Sequence, residues 1–345
     1  MLIFHNPNHR LHAGRQEMFR GRLVPCHETP ARLEHVLTEL RKRPIGLLRE
    51  PGEADLGLVR RIHAPHYVDF LAQAWNEWVA LDAANSELDI LPSVWPGHGF
   101  RRDVVPANFA ARVGLYSFDA GTPLGAGTWD AALCGAACAI DAARAVGAGA
   151  RVAMALTRPP GHHAGADFFG GYCFLNNAAL AAQALRDAGA PRVAVVDVDY
   201  HHGNGTQSIF YERDDVFTAS IHGDPSIEYP FYLGYADELG SGRGEGCNLN
   251  LPLPHGTGFE RWQQALLHAL AEVRRHGADA LVVPLGVDTF EGDPISRFTL
   301  CSADFLQVGR TLASAGLPTV FVMEGGYAVA QVGVNVVNVL EGFLA

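Results

Sequence analysis

Val193-Ala194-Val195-Val196-Asp197-Val198-Asp199-Tyr200-His201-His202-Gly203-Asn204-Gly205 passes in a single step from an unbroken apolar run to aspartates, histidines and glycines. A short valine-rich run without polar alternation reads as a strand covered on both faces, as in a parallel sheet. Asp197, Asp199 and His201 recur at every second position, so an extended backbone sends all three side chains to one side. Two carboxylates and an imidazole leaving a hydrophobic strand together are costly to bury without a cation or partners. No lysine or arginine stands within the cluster. A bound metal therefore explains it better than a structural ion-pair cluster.

Four further apolar, β-branched runs lie at residues 151–156, 216–221, 280–285 and 318–323. They alternate with helical patterns over 129–146, 176–188, 259–276, 302–315 and 330–343. Alternation of this kind predicts an α/β fold with a single open, mostly parallel sheet and helices on both faces. No break in composition marks a second domain, so residues 1–345 read as one unit. The polar groups follow the carboxyl ends of four strands: Arg158-Pro159-Pro160-Gly161-His162-His163, the Asp197 cluster, Gly286-Val287-Asp288-Thr289, and Glu324-Gly325-Gly326-Tyr327. In open α/β sheets that edge forms the ligand crevice.

One imidazole and two carboxylates, with a position left open for water, suit a catalytic Zn²⁺. The ligands expected are Asp199, His201 and Asp288. Fe²⁺, Mn²⁺ and Co²⁺ are compatible with the same donors. Two carboxylates offset the charge of the ion, so a separate base is needed. The His162-His163 pair on the stiff Pro159-Pro160 loop can supply one. Asp197 and Asn204 are available to fix the imidazole tautomers, and their unequal charge should make the two histidines unequally basic. Tyr327, after two glycines, can donate to a developing oxyanion. Together these parts specify metal-assisted hydrolysis of an amide.

Composition narrows the surroundings. The chain has 345 residues, of which 48% are hydrophobic and 18% charged, and a net charge of −11. That predicts a globular protein whose surface repels nucleic acid and attracts cations. The six cysteines are scattered without a Cys-x-x-Cys pair. They read as mostly buried thiols in a reducing compartment rather than disulfides or a thiolate zinc site. The apolar run at the N-terminus is too short for a signal peptide, and no segment approaches the roughly 20 apolar residues of a membrane helix. A cytoplasmic location without membrane association is expected. Residues 84–128, rich in Pro and Gly, show little periodicity and read as an ordered interface.

Arg-Pro-Pro-Gly-His-His at 158–163, Gly-Gly-Tyr-Cys-Phe-Leu-Asn-Asn at 170–177, Asp-Val-Asp-Tyr-His-His-Gly-Asn-Gly-Thr-Gln at 197–207, Gly-Val-Asp-Thr-Phe-Glu-Gly-Asp-Pro at 286–294 and Glu-Gly-Gly-Tyr at 324–327 resemble the zinc deacetylases of the arginase–deacetylase superfamily. These include the histone deacetylases and the acetylpolyamine amidohydrolases. The resemblance covers nearly the whole chain. It implies zinc on Asp199, His201 and Asp288, His163 as general base then acid, His162 paired with Asp197, and Tyr327 as oxyanion donor. It also implies structural K⁺, at one site using Asp197, Asp199, His201, Ser220 and Ile221 and at another near Phe210, Arg213 and Val216. Tyr172 and Tyr229 match aromatic positions of the acyl tunnel.

The acetylpolyamine branch is matched best, through Glu17 in the stretch 8–22, residues 229–236 and the Pro/Gly-rich insertion. That branch implies a homodimer built on the insertion, a mouth too narrow for folded protein, and Glu17 placed to attract an ammonium tail of a small acetylated amine. Ala110 and Gly121 stand where such relatives carry mouth glutamates, with Asp119 close by as a substitute. The rivals are a protein or acetyl-lysine deacetylase, a binuclear manganese ureohydrolase, and an inactive binding protein. The ureohydrolase would need more metal-facing aspartates, and the binding protein would be expected to have lost one of the catalytic residues.

Overall fold

The computed structural model describes residues Met1–Ala345. Eight strands form one sheet in the spatial order Leu47–Arg49, Leu2–His5, Val152–Leu156, Thr319–Met323, Ala280–Leu285, Val193–Asp197, Val216–Gly223, Asn248–Leu253. Every neighbouring pair is parallel. The five strands legible in the sequence are the central ones.

Alternate residues along the central strands feed two separate cores. Val193 and Val195 pack with the helices Pro65–Leu81, Thr128–Gly147 and Asn177–Asp187. Ala194 and Val196 pack with Ala31–Lys42, Phe259–His276, Asp304–Ala313 and Val329–Leu344. This two-sided cover is why the strands are apolar at consecutive positions, each buried Val, Leu or Phe contributing about 1.5–3 kcal/mol. The helix Phe259–His276 shows the local logic. Glu260 opens it, Arg274, Arg275 and His276 close it against the dipole, and Gly277 ends it at φ 75°.

Some elements escaped the sequence reading. The flanking strands Leu2–His5 and Leu47–Arg49 are short, and Asn248–Leu253 interleaves asparagine and proline with its leucines instead of running apolar. An antiparallel hairpin, Gln16–Phe19 with Arg22–Pro25, stands outside the main sheet. Residues 84–128 are not wholly irregular: a helix, Phe109–Tyr116, is capped by Asn108, whose side chain accepts from the Ala111 amide at 3.2 Å. The cysteines are all unpaired, but only Cys138 and Cys173 are fully buried, because the other four lie on helix flanks and loops. No helix is long and apolar enough to cross a membrane.

Candidate active site

The carboxyl ends of the central strands converge on one crevice. Asp199, His201 and Asp288 are buried there with their ligand atoms within 4.8 Å of one another. His201 Nδ1 lies 3.0 Å from Asp288 Oδ2 and 3.4 Å from Asp199 Oδ1. Backbone amides orient both carboxylates: Gly325 N donates to Asp199 Oδ2 at 2.8 Å and Tyr200 N to Asp288 Oδ1 at 2.8 Å. Space for them exists because residue 286 is glycine; a Cβ there would sit 2.0 Å from Asp199 Oδ2.

The donor set fits a divalent cation. Only imidazoles reach Asp197, Asp199 and Asp288 as basic partners within 4.0 Å, and no arginine or lysine does. Burial, with the charge of Asp199 beside it, pushes the Asp288 carboxyl up to about 7. Two adjacent buried carboxylates are relieved of that repulsion by a shared positive ion.

The two histidines differ as their partners require. His162 Nδ1 donates to Asp197 Oδ2 at 2.9 Å, and His163 Nδ1 donates to the amide oxygen of Asn204 at 2.6 Å. Burial alone would push His162 down, but Asp197 and Asp199 outweigh it and raise the imidazole to about 10. For His163, burial and then the neighbouring His162 and His201 push the imidazole well below its ordinary value. With Nδ1 donating, the Nε2 of a neutral His163 is left as the acceptor. Gly171, at φ 54°, makes room for this ring, since a Cβ would lie 2.1 Å from His163 Cδ2.

Tyr327 lines the same cavity, and its phenol is pushed well above its ordinary value, mainly by burial. It therefore keeps its proton as a donor. Its turn is held from beneath. Arg32, fully buried, donates from Nε to Gly326 O at 2.6 Å and from Nη2 to Glu324 O, and its guanidinium lies 4.8 Å from the Tyr327 ring centre. Glu28 pairs with both Arg32 and Arg158 at 2.8 Å. Glu324 Oε2 accepts from the amides of Gly161 (2.6 Å) and His162 (3.1 Å), tying the histidine loop to the tyrosine turn. Glu28, Arg32 and the buttressing role of Glu324 were missed in the sequence. The signal available was the Glu28/Arg32 spacing of four at a helix start.

The cavity over this floor is about 480 Å³. Phe118, Tyr172 and Tyr229 form its walls, and exposed Phe231 and Tyr232 its rim. Tyr172 Oη donates to Glu17 Oε1 at 3.0 Å, and Tyr229 Oη donates to Asp119 Oδ2 at 2.7 Å. Glu17 is buried and also accepts from His27, through Nδ1 at 2.8 Å and the amide at 3.2 Å. Asp119 lines the cavity, but its oxygens further accept from Gly171 N, Gly121 N and Thr122 Oγ1, so it acts first as a brace. Ala110 is exposed on the Phe109–Tyr116 helix and Gly121 lines the cavity.

Asp197 and Ser220 are partners on adjacent strands behind the crevice, where Ser220 Oγ contacts His222 Nδ1 at 2.8 Å and Ile221 is buried. Phe210, Arg213 and Val216 lie together at the opposite, amino edge of the sheet. There Arg213 N donates to Phe210 O at 2.9 Å and its guanidinium pairs with Asp215.

Residues 26–343 match the model of the histone deacetylase domain. The chain is 51% identical to acetylpolyamine amidohydrolase 2 of Pseudomonas aeruginosa over 343 residues, 99% of this chain and 98% of that one. It is 39% identical to histone deacetylase 8 of Arabidopsis thaliana over 236 residues, 65% of this chain and 62% of that one. Among solved structures, the acetylpolyamine aminohydrolase of Burkholderia pseudomallei superposes with a TM-score of 0.94 at 38% identity, covering 100% of this chain and 99% of that one.

Proposed function

The chain belongs to the histone deacetylase domain family, and from that premise we propose that it hydrolyses the acetyl-amide of small acetylated polyamines and diamines, such as acetylputrescine and acetylcadaverine, to acetate and free amine. The observation that carries this reading is the buried Asp199–His201–Asp288 set at the floor of a narrow aromatic cavity, beside a neutral histidine. The full-length match to an acetylpolyamine amidohydrolase, against a match to two thirds of the chain for a histone deacetylase, favours the small-amine branch.

In this reading the three ligands hold one Zn²⁺ per subunit, which supplies polarisation of the acetyl carbonyl and a lowered pKa for water. His163 Nε2, kept acceptor by Asn204, takes the proton of the attacking water and returns it to the leaving amine. His162, charged against Asp197, holds positive potential beside the reacting centre. Tyr327 donates its phenolic proton in a hydrogen bond to the oxyanion. Phe118, Tyr172 and Tyr229 clasp the acyl and methylene portions, and Glu17 attracts the ammonium tail. The Asp197–Ser220–Ile221 and Phe210–Arg213–Val216 positions would hold K⁺ as structural support. The chain acts in the cytoplasm as one catalytic domain. Residues 84–128, with Trp95, Phe100, Val104 and Val105 exposed, form the homodimer contact.

Purified protein should contain one zinc per chain, lose acetylputrescine hydrolysis on chelation and regain it with Zn²⁺, and turn over acetylputrescine faster than an acetyl-lysine peptide. Hydrolysis surviving complete removal of metal, or a preference for the peptide, would sink the reading.

The Glu17–His27 pair adds a pH dependence. The hydrogen bond to Glu17 raises the His27 imidazole above 6.5 against the opposing effect of burial. The stability it contributes is therefore complete below 6.5 and is lost as pH rises through the raised folded value. The same deprotonation leaves the charge of Glu17 uncompensated. KM for an acetylated diamine should fall across that step, and His27→Gln should flatten the profile; a KM independent of pH in the unmodified protein would refute the link.

A further inference from the structure

Three residues other than glycine hold left-handed backbone in this chain: Arg20 (φ 50°), Tyr172 (φ 66°) and Phe231 (φ 64°). All three line the cavity above the active site. A residue bearing a Cβ disfavours that conformation, and its concentration at one site points to a use for the side chains it places there. Tyr172 is accounted for by its bond to Glu17 and its backbone N–H to Thr122 Oγ1 at 3.0 Å. The Phe231 amide is tied to Glu228 O at 3.0 Å. Arg20 has no comparable anchor.

Arg20 and Gly21 (φ 80°) are the two-residue tip joining Gln16–Phe19 to Arg22–Pro25, with Phe19 paired to Arg22. Positive φ at both positions is the hairpin turn in which Asn-Gly or Gly-Gly is the easiest sequence. An arginine there is an expensive choice for the turn alone. Its side chain is exposed, stands 5.2 Å from the Phe19 ring centre, and reaches no carboxylate within 4.0 Å. The same cavity is lined by the carboxylates Glu17, Asp119 and Glu228 alongside the floor histidines His163 and His201, and Arg20 is its one lysine or arginine. The sign of the fixed charge thus reverses between the interior and the rim.

We propose that Arg20 is a specificity-determining residue that sorts acetylated amines by how far their next ammonium lies from the acetyl group. This rests on the small-amine reading above. A short acetylated diamine brings its ammonium among the interior carboxylates. A longer polyamine carries a further ammonium out to the rim, where the unpaired guanidinium repels it. Like charges meeting at a solvated rim change binding by about three- to tenfold, and the effect fades as salt shortens the screening length.

The test compares kcat/KM for acetylspermidine and acetylputrescine in the full-length, metal-loaded protein and in Arg20→Asn, Arg20→Glu and Arg20→Lys. Asparagine suits the turn, so this variant should fold at least as well as the parent. The ratio favouring acetylspermidine is expected to rise about three- to tenfold in Arg20→Asn and further in Arg20→Glu. It should stay near the parental value in Arg20→Lys, and the differences should shrink at roughly 1 M salt. An unchanged ratio in the Asn and Glu variants, or a Lys variant that behaves like Asn, overturns the proposal while leaving the deacetylase reading intact. If the unmodified protein hydrolyses neither amine, the substrate reading falls and this inference with it.

Discussion

His163→Ala is expected to lower kcat for acetyl-amide hydrolysis about 10²- to 10⁴-fold while the protein keeps its full complement of metal. Two observations separate the roles. The His163 ring centre lies 6.1 Å from that of His201, and the closely grouped buried donors are Asp199, His201 and Asp288 without it. Its Nδ1 is committed to Asn204 at 2.6 Å. Because burial and the two neighbouring imidazoles hold His163 well below its ordinary value, it is an unprotonated base at neutral pH. The acid limb of kcat/KM should accordingly fall below pH 6.5 rather than at it. Kinetics paired with metal analysis of the same sample decide the matter. Near-parental turnover would remove His163 from the mechanism, and loss of the metal along with activity would make it a ligand instead of a base.

Glu28→Ala should destabilise the fold by about 3–5 kcal/mol, the usual consequence of stranding buried charge. Glu28, Arg32 and Arg158 are all buried, and one carboxylate serves both guanidinium groups. Burial pushes the Glu28 carboxyl up, yet Arg158 and Arg32 prevail and keep it below the usual range. Its contribution is thus present above the ordinary carboxylate pKa and is lost as pH falls through the depressed value. Turnover should fall as well, since Arg32 holds the carbonyls of Glu324 and Gly326 next to Tyr327. The denaturation midpoint reports the first effect. A change under about 1 kcal/mol would show that the two arginines find other partners.

The contrast between these two residues explains what a sequence can disclose here. Asp199 and His201 lie just past the strand Val193–Asp197, which ends before the extended run expected through residue 201. Their convergence follows from the strand's carboxyl end facing the crevice rather than from strand alternation. Asp288 and Tyr327 arrive from other strands, but each follows an apolar run whose carboxyl end had to face the same crevice. Glu28 is different. Its partner Arg158 is 130 positions away, and although Arg158 follows the strand Val152–Leu156, Glu28 lies just before the helix Ala31–Lys42, away from any strand end that would announce the meeting. The helix Phe109–Tyr116 was hidden by its shortness among prolines and glycines, with Asn108 as its one local marker. Arg20 was hidden for a subtler reason. Arg-Gly is not a preferred turn pair, and the left-handed conformation shows only in the folded backbone.

The Gln16–Pro25 hairpin bonds as a ribbon of its own, apart from the eight-stranded sheet. Its tip can therefore drift in sequence without disturbing any strand that leads to Asp199, His201, Asp288 or the His162-His163 pair. Under the proposed substrate reading, a lineage could reshape the rim by rewriting the exposed Arg20-Gly21 tip alone, leaving the Glu17 bonds to Tyr172 and His27 in place. An engineer could do the same by grafting a foreign collar onto an unaltered hearth.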